Sequence, residues 1–181
     1  MKPLQAIRRS ISIIALLLLA GGTYGQDDQR EHSFQHVPTD VQVPVGNTLA
    51  FRVTGVGVQI YVWTLSATDP SQGSWVLKAP HAVLFEQNRE LIGIHFGGPS
   101  WEGNDGSKVV GSRIGIITVD PSAIPWLSLK AAANTGSGIF SDVTYIQRLN
   151  TVGGLAPTTP GTAGQEVLVP YIADYVFYRG S

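Results

Sequence analysis

Cysteine is absent from all 181 residues. That excludes disulfides, thiolate nucleophiles, cysteine metal ligands and a lipoprotein anchor together. No apolar run reaches the roughly 20 residues that a hydrocarbon core demands. Positive charge is not in excess either, with 12 Lys and Arg against 13 Asp and Glu. A phosphate backbone would meet no basic footprint, so a nucleic-acid partner is excluded. Catalytic motifs are missing too: there is no HExxH pair, no EF-hand loop and no G-x-S-x-G elbow. Gly55-Val-Gly57 starts like a dinucleotide fingerprint, but a strand follows it where a helix N-terminus would have to hold the pyrophosphate. No cofactor is expected.

What is present begins with Lys2, Arg8 and Arg9 ahead of the uncharged run Ile11 to Ala20, the pattern of a secretory signal peptide. Thr23 and Gly25 supply small residues for cleavage after Gly25; the Arg8-Arg9 pair leaves twin-arginine export as an alternative route. Three of the basic residues fall in this leader, so the chain from Gln26 onward is net acidic. The expectation is an exported protein, periplasmic or extracellular. Residues 26–42, QDDQREHSFQHVPTDVQ, are rich in charge and amides and read as a flexible arm.

From Val43 to Ser181 one domain is expected, built from short segments rich in Val, Ile, Thr and aromatics between Gly, Pro, Asn and Asp clusters. They are Leu49 to Thr54, Gly57 to Leu65, Ser74 to Ala79, Leu91 to Phe96, Lys108 to Thr118, Trp126 to Ala131, Phe140 to Asn150 and Val167 to Tyr178. A helical turn is expected only at His81 to Gln87, behind Pro80. The fold class is all-β, an antiparallel sandwich or barrel with long loops. In GVQIYVWTL, Val58, Ile60 and Val62 share one face and Gln59, Tyr61 and Trp63 the other, so this strand is expected to be covered on both sides.

The blocks GVQIYVW, WVLKAPHAVLF, GIHFGGPSWEGNDGSKVVG, AIPWLSLKA, FSDVTYIQRLNTVGG and VPYIADYVFY, in that order, resemble the exported bacterial and fungal family known as domain of unknown function 3455. The resemblance spans Val43 to Tyr178. It implies export and a compact domain, and it brings no activity or catalytic residues. Members similar to this chain often carry a cysteine where Trp63 stands and another near Thr159. The resemblance therefore implies a structural disulfide that this chain has lost.

The densest chemistry lies in His95 to Gly111. His95, Glu102 and Asp105 offer one nitrogen and two carboxylates, a set that suits zinc or non-haem iron. Glu102 and Asp105 beside Trp101 are also the residue types of a glycoside hydrolase. The plainer account makes Gly97 to Pro99 and Asn104 to Gly106 turns, with Trp101 folded over the core. Gln59, Tyr61, Arg113, Tyr145, Gln147 and Arg148 are polar groups embedded in strands. They either line a concave site or satisfy one another, with Arg148 tied to a carboxylate such as Asp142.

The leading functional expectation is a non-catalytic binding or cell-envelope module for a glycan or other small polar ligand, met by His95, Trp101, Glu102, Asp105, Tyr61 and Gln59. One alternative is a secreted hydrolase or metal-dependent enzyme using His95, Glu102 and Asp105. The other is a purely structural secreted protein.

Overall fold

The computed structural model describes residues 37–181. The expected signal peptide, and the arm as far as residue 36, lie outside the described residues. A short 3-10 turn, Thr39–Val41, precedes eight strands. These are β1 (Asn47–Leu65), β2 (Gly73–Phe85), β3 (Leu91–Phe96), β4 (Ser100–Gly103), β5 (Lys108–Ile117), β6 (Trp126–Thr135), β7 (Val143–Gly153) and β8 (Glu166–Gly180). Each strand pairs antiparallel with the next, and β8 pairs back onto β1. The all-β class holds, and between sandwich and barrel the answer is one sheet closing in a ring. Closure leaves no strand at an edge along its whole length, although the start of β1 and the end of β6 are paired on one side only. Among the described residues no helix is long and apolar enough to cross a membrane.

Two expected segments are one: β1 runs unbroken through Gly55 and Gly57, because both glycines sit where another group comes close. A Cβ on Gly57 would lie 2.4 Å from Ala82 Cα, and one on Gly55 2.6 Å from the Tyr175 ring. The glycines mark tight packing rather than a break. The helical turn expected at His81 to Gln87 is also corrected, since Pro80 to Phe85 continue β2. Pro80 faces Gln59 beside the register shift where Ile60 pairs with Ala79 and Tyr61 with Leu77. Such irregularities are where a strand accommodates a residue with no N–H. Finally β4, expected as loop, is a four-residue strand joined to β3 by the turn Gly97 to Pro99.

Alternation decides which side chains enter the ring. In β1 the inward set is Val53, Gln59 and Tyr61, while Val58, Ile60 and Val62 face outward and are half-covered. In β8 the inward set is Tyr171, Ala173, Tyr175 and Phe177. One end is plugged by rings: Phe51 stacks on Phe177 at 4.7 Å, and Phe140 meets Phe177 at 5.0 Å. Outside the ring, the last residues of the expected arm pack on β5 to β8. Val41 is 0% exposed among Trp126, Leu149 and Val176. Gln147 fixes this segment by donating from Nε2 to the Val41 carbonyl at 2.5 Å while Tyr178 donates to its Oε1 at 2.7 Å.

Candidate functional site

At the end opposite the phenylalanine plug the ring holds a cavity of about 410 Å3. It exists because β3 and β4 are short, six and four residues, so the wall is low where Gly97 to Pro99 turn. Leu77 to Pro80 of β2, Arg113 of β5 and Leu127 of β6 complete the rim, and Gln59, His95, Trp101, Leu129, Arg148 and Tyr175 line the interior. Register brings His95 and Trp101 together, since they are cross-strand partners in the β3–β4 hairpin. Their rings stack at 4.5 Å with 13° between planes, and the edge of Trp101 meets Tyr175 at 5.5 Å.

His95 is 2% exposed. Its Nδ1–H donates to the Ser100 carbonyl at 2.8 Å, leaving Nε2 as the acceptor nitrogen. Burial lowers its pKa to about 3, against the smaller opposing effect of that hydrogen bond. The ring is neutral at physiological pH. Two interior donors have no hydrogen-bond partner among the described residues: Gln59 Nε2 and Trp101 Nε1, on side chains each 1% exposed. Each such orphan costs roughly 1–3 kcal/mol.

Arg148 enters the ring from β7, where Nε and Nη2 donate to the Pro125 carbonyl at 3.1 and 2.8 Å. The expected tie to Asp142 does not form, because Asp142 pairs with Arg179 at 2.6 Å at the plugged end. Among the described residues no carboxylate forms an ion pair with Arg148. Its neighbours are phenols, Tyr175, Tyr171 and Tyr61. Tyr171 and Tyr175 share a hydrogen bond of 3.0 Å, and Tyr61 donates to the Gly154 carbonyl at 2.7 Å. Burial raises all three phenol pKa values, so they supply no countercharge at neutral pH.

Of the six expected site residues, Gln59, His95 and Trp101 share the cavity. Tyr61 is buried beside Arg148 but spends its hydroxyl on Gly154. Glu102 follows Trp101 along β4 and so points to the opposite, outer face. Asp105 belongs to the turn after β4. Its Oδ1 accepts from Ser107 N and Oγ at 2.9 and 2.6 Å, and its Oδ2 from Ile139 N at 2.8 Å, which together hold its pKa low. Asp105 therefore ties two loops together. His95, Glu102 and Asp105 do not converge, and among the described residues no three His, Asp or Glu gather as metal ligands. The metal set read from the sequence does not assemble for two reasons: alternation along β4 sends Glu102 to the outer face, and Asp105 is committed to the turn by Ser107 and Ile139. Tyr175, an inward aromatic of β8, and Leu129 of β6 also line the cavity, and both look like ordinary core in the sequence.

The loop around Thr159 packs against Trp63 of β1 and Trp75 of β2. Trp63 and Trp75 meet edge to face at 5.4 Å, Trp75 Nε1 donates to the Thr159 carbonyl at 2.9 Å, and Trp63 exchanges backbone hydrogen bonds with residues 164 and 165. Tryptophan packing ties this loop down without a covalent bridge.

A family described as protein of unknown function (DUF3455) matches residues 44–179. Neither the curated proteins nor the solved structures contain a match.

Proposed function

The chain belongs to the DUF3455 family, proteins of unknown function, and from that premise we propose that it is an exported, non-catalytic binding module that holds a small polar ligand inside the ring. The observation that carries this reading is the pair of orphaned donors, Gln59 Nε2 and Trp101 Nε1, lining one cavity. Buried donors are nearly always satisfied, and these two belong to side chains that line the same cavity. A compact ligand fits better than a glycan. Sugars stack on open aromatic faces, whereas one face of Trp101 is covered by His95 and the whole side chain is buried. Catalysis is not favoured, since the lining holds no carboxylate, serine or threonine and His95 is neutral with Nδ1 engaged.

Gln59→Met tests this. It removes the orphaned amide at nearly constant shape, so the protein should gain up to roughly 1–3 kcal/mol in denaturant unfolding while small polar compounds that bind wild type, found by ligand-observed NMR, bind at least tenfold more weakly. A variant less stable than wild type with unchanged binding would show that Gln59 is a packing residue and would remove the support for an interior site.

A further inference from the structure

We propose that the ligand is a small organic anion, whose charged head pairs with Arg148 and whose apolar body lies against Trp101, Leu129 and Pro99. This rests on the reading of the cavity as a ligand site. Three basic side chains line that cavity, Lys78, Arg113 and Arg148, and no acidic one does, in a chain whose mature part is net acidic. Lys78 is neutralised at the rim by Glu166 at 2.5 Å. Arg148 is not neutralised by any described residue. Exposed Arg113 stands at the entrance with no ion pair to a described carboxylate and extends the positive field outward.

A cation removed from water is destabilising unless it is paired and hydrogen-bonded. Arg148 has found a carbonyl, which satisfies N–H groups and leaves the charge. A guanidinium held rigidly by such contacts is the arrangement that recognises a planar carboxylate or a phosphate oxygen. The two orphaned donors, Gln59 Nε2 and Trp101 Nε1, supply further hydrogen bonds to an acceptor-rich head. The rest of the lining is dominated by apolar groups, Leu127, Leu129, Ala79, Pro80 and Pro99 among them, so a bare inorganic anion would leave most of the volume unused.

Calorimetric titration with benzoate, its neutral counterpart benzamide and inorganic phosphate tests the inference. Wild type should bind benzoate at least tenfold more tightly than benzamide or phosphate, and Arg148→Met should lose that preference. Arg148→Lys, which keeps the charge without the planar fork, should fall between them. The benzoate–benzamide comparison is made on wild type, so it decides the matter even where a variant does not fold. Equal affinity for benzoate and benzamide, or benzoate binding undiminished in folded Arg148→Met, overturns the anion assignment and leaves the small-ligand reading standing. Phosphate bound more tightly than benzoate overturns the apolar body. Binding of none of the three overturns both readings.

Discussion

At the scale of single residues, His95 shows how far context moves a side chain from what its letter suggests. In the sequence it is one of four histidines, set among two carboxylates, and it looks like a metal or acid–base group. In the fold it is a neutral ring stacked on Trp101, with its pKa lowered to about 3 chiefly by burial. Because the unfolded chain takes up the proton near pH 6.5 and the folded one near 3, stability falls as pH drops through that window, by roughly 1.4 kcal/mol per unit. Asp105, held below the ordinary carboxylate range by its hydrogen bonds, acts in the same direction at lower pH, so the histidine must be isolated by substitution. His95→Phe keeps the stack and gives up the hydrogen bond to Ser100, a loss of about 1 kcal/mol at pH 7. Between pH 7 and 4.5, urea unfolding should show wild type losing about 2 to 3 kcal/mol more than the variant. Equal losses would mean that His95 protonates freely in the folded state.

Elements were legible in the sequence where composition alone decides them. β3 falls where its apolar letters and flanking turns place it, and β5 to β8 fall within a few residues of their expected bounds. The misses have structural causes. β1 hides its length behind two glycines needed for close approach, β2 carries a proline tolerated beside a register shift, and β4 is too short to show a period. The packed end of the N-terminal segment, Val37 to Gln42, was invisible because its burial depends on an outer surface assembled from β5 to β8. Gly115 is the contact that permits it, since a Cβ there would lie 2.0 Å from the Asp40 carbonyl oxygen and 2.5 Å from Ser128 Oγ. Gly115→Ala should lift this segment, lower stability by about 1–3 kcal/mol and open the chain near residue 42 to limited proteolysis. Unchanged stability and an intact chain would show that the segment contributes nothing to the folded domain.

The whole molecule is a ring sealed at one end by Phe51, Phe140 and Phe177 and left low at the other by its two shortest strands. Its all-β class was readable from the turns and strands, whereas its site was readable only in part. Gln59, His95 and Trp101 were identifiable as residue types, but their meeting with Arg148 depends on which face of each strand turns inward, and β1 turns its more polar face in. The choice follows from closure, because the outward face of β1 stays half-covered while the inward face must share the interior with β7 and β8. A guanidinium with no ion pair to a described carboxylate and two buried donors with no described partner surround one cavity, an arrangement that lowers stability there.

The most direct measurement follows the indole N–H signals of Trp63, Trp75, Trp101 and Trp126 in the 15N-labelled protein as benzoate is added. The Trp101 signal should move downfield as its Nε1–H gains an acceptor, while the other three barely shift. A titration that moves Trp63 and Trp75 instead, or leaves Trp101 in place at saturation, would contradict an interior anion site.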